Sequence, residues 1–186
     1  EPHLRGPLAG GVRMPEPIRI EAPGALGKAY ARHFEGLGGV LLTGDAMSLS
    51  RASGAFTLET VCGMVAAREA VRCLGPWSSD LLAQFGVRLP LGVKRGYHQH
   101  YRPMGNAVLN NLLVDMTNGF VMAPNRRGIR ITSGAEFARR DDPPSPVQLT
   151  QVEPIARQLF PLSDAEGVPP WMGARPCFPD LLPAIG

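Results

Sequence analysis

An α+β fold, a mostly antiparallel mixed sheet with a few packed helices, is predicted by three observations. Apolar residues at helical spacing occur in a few separate stretches. Between them run short apolar segments broken by Gly, Pro or polar residues, as in strands joined by turns. The regular strand–helix alternation of a doubly wound parallel sheet is missing. Gly and Pro supply 22 and 19 of the 186 residues and are scattered rather than gathered into a linker, so many turns are expected. Hydrophobic residues at 44% and charged residues at 19% describe a globular chain, and its length suits a single domain over residues 1–186.

The first helix is expected from Pro23 to Leu37: Pro suits a first helical turn, and Leu26, Tyr30, Phe34 and Leu37 fall on one face. Gly36, Gly38 and Gly39 end it. Val40–Thr43 reads as a short buried strand, and the runs from Ala46 to Leu74 as a small antiparallel meander. Gly75-Pro76-Trp77 turns the chain into a short helix over Ser78–Phe85. Leu89–Arg102 is a strand with bends. Ala107–Asp115 and Gly119–Ala123 form a hairpin across Met116-Thr117-Asn118. Gly128–Ala138 is the next strand, with Ile129 and Ile131 on one face. A second long helix spans Pro146–Leu159 on Val147, Val152, Ile155 and Leu159. Val168–Pro176 returns as a strand ahead of a Pro-rich tail.

Charge and cysteine usage narrow the function. A net charge of +3, with its basic pairs Arg126-Arg127 and Arg139-Arg140 far apart, lacks the dense basic footprint of nucleic-acid binding. The three cysteines, 62, 73 and 177, form no CxxC pair, which points to free thiols in a reducing compartment. His98-x-His100 sets two imidazoles on one side of a strand, but no third ligand is near, so no metal is expected. No apolar run reaches the length of a membrane span, and the N-terminus carries no signal peptide. The expected location is cytoplasmic. Glu1 stands where an initiator Met is absent, and the final pattern stops short at Gly186. The chain is therefore expected to be a piece of a longer protein.

Three stretches carry more specific information: Cys73-Leu74-Gly75-Pro76-Trp77-Ser78-Ser79, then Leu89-Pro90-Leu91-Gly92-Val93-Lys94-Arg95-Gly96-Tyr97-His98, then Trp171-Met172-Gly173-Ala174-Arg175-Pro176-Cys177-Phe178-Pro179-Asp180 through Pro183-Ala184-Ile185-Gly186. In this order they resemble the D-amino-acid oxidase superfamily of FAD-dependent oxidoreductases, and most nearly its D-amino-acid dehydrogenases and glycine or sarcosine oxidases. That family shows G-x-W-S, then P-L-x-x-x-R/K-G-Y, then W-x-G-x-R-P-x-x-P-D-x-x-P-x-I-G. Two departures stand out. The family's GxGxxG segment for the FAD pyrophosphate has no counterpart, because Gly6-Pro7-Leu8-Ala9-Gly10-Gly11 follows no apolar strand and is broken by Pro7. The run Ala70-Val71-Arg72-Cys73-Leu74 also sets a charge where the family is usually apolar.

The resemblance implies a substrate-binding portion of an enzyme that oxidises an amino acid or secondary amine to the imine with FAD. An amino acid or amine would be the small-molecule substrate. In this reading Arg175 anchors the substrate carboxylate, since a guanidinium offers two parallel hydrogen bonds; a structural pair with Asp180 is the competing role. Tyr97 and His98 line the substrate site, and Gly75, Trp77, Arg95 and Gly96 lie toward the cofactor. Cys177 has no base to activate it and is assigned no nucleophilic role. FAD is expected in the intact parent and not in the chain alone, which is expected to be inactive and to self-associate through the surface that would face the flavin domain. Peripheral attachment to the inner membrane is a further expectation for the parent. The alternative is a stand-alone ligand-binding or assembly module with the same lobe and no redox activity.

Overall fold

The computed structural model describes residues 1–186 except Pro7, Pro17, Glu166 and Gly186. Pro7 of the Gly-rich N-terminal run and the closing Gly186 of the third motif thus lie outside the described residues. In chain order the elements are α1 (Pro23–Gly36), β1 (Ser50–Ala52), β2 (Ala55–Thr60), β3 (Gly63–Ala67), α2 (Ser78–Gln84), β4 (Gly92–Pro103), β5 (Leu113–Asp115), β6 (Phe120–Asn125), β7 (Gly128–Thr132), β8 (Glu136–Phe137), α3 (Val147–Leu159), β9 (Leu162–Ala165) and β10 (Trp171–Cys177). Short 3-10 turns cover Ala46–Ser48 and Gly75–Trp77. The class is α+β.

The chain was read from sequence as one domain, but its contacts cluster in two compact units: Glu1–Pro23 with Lys94–Ala174, and Gly24–Val93 with Arg175–Gly186. The reason is visible in the core. The hydrophobic cluster of buried residues draws on Tyr97 through Leu162, while unit two buries only Leu81 and Leu82 among its large side chains.

Unit one is built on a sheet with strand order β10-β4-β7-β6-β5, and β8 and β9 also pair with β4. β4 meets β7 antiparallel with Gln99 opposite Ile131 and Tyr101 opposite Ile129; β7 meets β6 with Ile131 opposite Met122. The two-residue period of a strand puts these side chains on one face. That face is covered by α3, which buries Leu149, Val152 and Ala156, and by Phe160 and Leu162 beyond it. Val147 was expected on the covered side of α3 but is 54% exposed, since it opens the helix. The other face of β4 and β7 carries His98, His100, Arg130 and Thr132.

Local chemistry fixes the edges. The β5–β6 turn closes as the Asp115 carboxylate accepts from the Thr117 and Asn118 amides at 3.0 and 2.9 Å. The Glu1 carboxylate accepts from the amides of Asn110 at 3.0 Å and Asn111 at 2.7 Å, which pins the N-terminus to unit one. These donors hold the Glu1 carboxyl below its ordinary range although burial acts the other way.

In unit two, β1, β2 and β3 form a three-stranded antiparallel meander, as expected for the middle of the 46–74 stretch. Two expected strands are absent. Val40–Thr43 is irregular and exposed, with Val40 at 71%, because a strand needs a partner. Here only the Val61 amide reaches Thr43, at 2.9 Å, and Gly44 bridges Thr60. Glu69–Leu74 is likewise irregular. The helix α1 forms where predicted, yet has no buried residue. Its apolar face of Leu26, Tyr30 and Phe34, continued by Leu37, is open to solvent.

Candidate functional site

A cavity of about 350 Å³ opens in unit one on the face of the sheet opposite α3. It is lined by His98, His100, Arg127 and Trp171, with Gln99 and the segment Val168–Pro170 at its side. Gln99 Nε2 donates to the Val168 carbonyl at 2.9 Å, fixing that segment against β4.

The floor is aromatic. The His98 imidazole stacks on the Trp171 indole, with centroids 4.8 Å apart and planes 27° apart. His100 meets His98 edge-on at 5.3 Å. Trp171 folds back over its own strand, so that a Cβ at position 173 would run into the indole ring. Glycine at 173 is what makes room for it. Burial pushes the His98 imidazole down to about 4, with Arg130, His100 and Arg127 adding repulsion of a second positive charge. His98 is thus a neutral ring at physiological pH. Arg130 approaches His100, Nε to Nε2, at 3.5 Å.

The neighbours of His98 on β4 point the other way. Tyr97 is 2% exposed; its hydroxyl donates to Glu136 at 2.6 Å and accepts from the Ser145 amide at 3.0 Å. Burial and the Glu136 carboxylate raise its phenol above the ordinary range. Arg95 is also 2% exposed. Its guanidinium pairs with Glu136 at 2.8 Å and donates to the carbonyls of Asp142 at 2.5 Å and Pro143 at 3.1 Å. Glu136 therefore ties together two strand residues and is held below the usual carboxylate range by the Tyr97 hydroxyl and by Arg95. These contacts give Tyr97 and Arg95 an architectural role: they bind β4 to β8 and the 139–146 loop. The sequence could not separate them from His98, because strand alternation alone does not say which face is covered.

The structure gathers His98 and Trp171 at one cavity. Gly75 and Trp77 lie in unit two. Gly75 adopts φ +55°, which favours glycine, and opens the 3-10 turn that feeds α2; Trp77 is 50% exposed. Next to them the buried Ser79 Oγ has no hydrogen-bond partner among the described residues. That orphaned hydroxyl went unremarked in the sequence. It gives the Gly75–Ser79 turn one feature that suits the polar edge of a cofactor such as FAD, whereas Arg95, fully engaged by protein acceptors, does not fit a cofactor contact. At Gly96 a Cβ would meet only the Gly134 carbonyl, at an ordinary 3.8 Å. Arg175 stands exposed on β10. The Asp180 carboxylate accepts from the Leu182 amide at 3.1 Å, and no ion pair between Asp180 and Arg175 forms among the described residues. No group of three or more metal-ligating side chains occurs among the described residues, and no helix there is long and apolar enough to cross a membrane.

Comparison with known proteins agrees with this layout. The family model described as FAD dependent oxidoreductase matches residues 1–186. The chain is 28% identical to a D-amino-acid oxidase of Bradyrhizobium diazoefficiens over 100% of its own length and 45% of the relative's. It is 31% identical to a glycine oxidase of Pseudomonas putida over 78% of its length and 39% of the relative's. The chain thus spans less than half the length of these relatives. Among solved structures, glycine oxidase from Geobacillus kaustophilus superposes with a TM-score of 0.61 at 26% identity, covering 76% of this chain and 38% of that one. L-proline dehydrogenase from P. horikoshii shares the fold, with a TM-score of 0.68 at 18% identity over 88% of this chain and 46% of that one. A match that runs from the first residue to the last assigns the chain to the FAD dependent oxidoreductase family.

Proposed function

We propose that this chain supplies the substrate-binding part of an enzyme that oxidises an amino acid or secondary amine to the imine. The observation that carries the reading is Arg175: an exposed guanidinium on a strand, with the nearby Asp180 engaged elsewhere. Along β10 the side chains of Trp171, Gly173 and Arg175 alternate with Met172, which packs against the core, and Ala174. Strand periodicity thus supports Arg175 facing the side of β10 that Trp171 faces. A guanidinium there suits two parallel hydrogen bonds to a carboxylate.

FAD, when bound, accepts the hydride equivalent from the carbon bearing nitrogen. The chain's own residues orient and enclose. Arg175 holds the carboxylate, and Trp171 with the Val168–Pro170 segment shields the cavity from water. His98, neutral to about pH 4, offers a ring nitrogen as a hydrogen-bond partner for the substrate amine without adding charge. The Gly75–Ser79 turn, with its unpartnered Ser79 hydroxyl, is the part of the chain we assign to the cofactor side, together with Trp77. The exposed apolar face of α1 supports an assembly surface, and self-association of the chain follows from leaving it uncovered.

The test is Arg175→Lys in the intact, FAD-supplied protein. Lys keeps the charge but not the fork, so kcat/KM on amino acids should fall about 10- to 100-fold, the loss of one charge-assisted hydrogen bond. Unchanged kcat/KM would remove Arg175 from the site.

A further inference from the structure

We infer that Trp171 determines specificity: its indole, folded over Gly173 and stacked on His98, is the flat wall that selects carboxylic substrates bearing an apolar or aromatic group over those bearing a cationic one. The inference rests on the reading that Arg175 anchors the carboxylate.

Three observations carry it. The indole is pinned rather than loose: His98 stacks on it at 4.8 Å, and the missing Cβ of Gly173 leaves it the space it occupies. It is nevertheless 58% exposed, so ring surface remains for a ligand to cover. The adjoining wall, Val168-Pro169-Pro170, is apolar, stiffened by two consecutive prolines and tied by Gln99 to β4. An apolar substituent lying between these walls gains by burial and by ring contact.

Charge sets the other half of the preference. Around His98 the described groups that carry or take up charge are His100 on its own strand, Arg130 on β7 and Arg127 in the β6–β7 turn. The Val168–Trp171 segment adds none. All of these are positive or become so on protonation, and their joint field already suppresses protonation of His98. A cationic substituent entering the cavity meets the same repulsion.

The experiment is calorimetric titration of the intact, FAD-supplied protein with three carboxylates that have no oxidisable α-amine: acetate, phenylacetate and 4-guanidinobutanoate. Wild type should bind phenylacetate about tenfold more tightly than acetate, a difference of about 1.4 kcal/mol, and 4-guanidinobutanoate no better than acetate. Trp171→Ala should bring phenylacetate to the level of acetate while acetate stays within about twofold of wild type. Trp171→Phe should restore most of the preference. Equal weakening of acetate and phenylacetate in Trp171→Ala, or 4-guanidinobutanoate binding as tightly as phenylacetate, would overturn the inference. If acetate binding is lost in Arg175→Met while wild type shows no preference for phenylacetate, the anchor stands and only this inference falls. If wild type binds neither acetate nor phenylacetate, the anchor falls and the inference falls with it.

Discussion

The imidazole of His98 and the indole of Trp171 lie stacked 4.8 Å apart, joining a residue of β4 to the first residue of β10. The contact makes His98 a neutral ring in a positively charged neighbourhood. Its titration should therefore be displaced, with a midpoint near 4 where an ordinary imidazole shows about 6.5. NMR of the ring carbons against pH reads this directly; a midpoint at 6 or above would mean the ring is solvated.

The same shift has a stability consequence of fixed sign. Between 6.5 and about 4 the unfolded chain binds a proton at this position and the folded chain does not. Stability at this site is full above 6.5, declines as pH falls toward 4 and is flat below. Urea unfolding of wild type and His98→Gln at pH 7 and pH 5 should show the smaller acid loss in the variant.

Glu136 is expected to be the most sensitive polar position. It bridges the buried Arg95 at 2.8 Å and the Tyr97 hydroxyl at 2.6 Å. Glu136→Ala leaves that guanidinium without its counter-charge and should cost about 3 kcal/mol in chemical denaturation. Tyr97→Phe removes one hydrogen bond and should cost about 1 kcal/mol. If Tyr97 lined the substrate cavity instead, the Phe variant would change ligand affinity more than stability.

Gly173→Ala should act on Trp171 rather than on the sheet. The added methyl occupies the space of the indole ring, so the ring must leave His98. The expected results are a red shift in tryptophan emission and a rise of the His98 midpoint toward 6.5. Unchanged emission would show that the indole does not need the gap.

The uncovered helix gives a prediction about assembly. Leu26, Tyr30 and Phe34 of α1 are exposed at 40%, 68% and 48%. Sedimentation of the chain should show concentration-dependent association, reduced by Tyr30→Lys with Phe34→Lys. A monomer at all concentrations, unaffected by the double variant, would contradict this.

Much of the fold was legible because the signals were local. The helical spacing of α1 and α3 and the alternation along β4 and β7 each express one period that holds without reference to the rest of the chain. Val40–Thr43 misled for the opposite reason, since apolar residues make a strand only where a neighbouring strand offers its backbone. β9 went unseen because Leu162-Ser163-Asp164-Ala165 is short and half polar; it is recruited by β4. At the site, the motifs marked Arg95, Gly96, Tyr97 and His98 as a block, yet only His98 lines the cavity. The partner that removes Arg95, Glu136, lies 41 residues away, and no spacing rule reaches that far. Trp171 was read as a core or interface anchor, and only its stacking on His98 made it part of the cavity.

The central claim is that Arg175 selects substrates by their carboxylate. The most direct measurement compares kcat/KM for an amino acid with that for the amine lacking its carboxylate, in wild type and in Arg175→Met of the intact, FAD-supplied protein. Wild type should favour the amino acid by about 100-fold, and Arg175→Met should lose nearly all of that preference, with the rate on the plain amine little changed. A preference that survives intact in Arg175→Met would contradict the account.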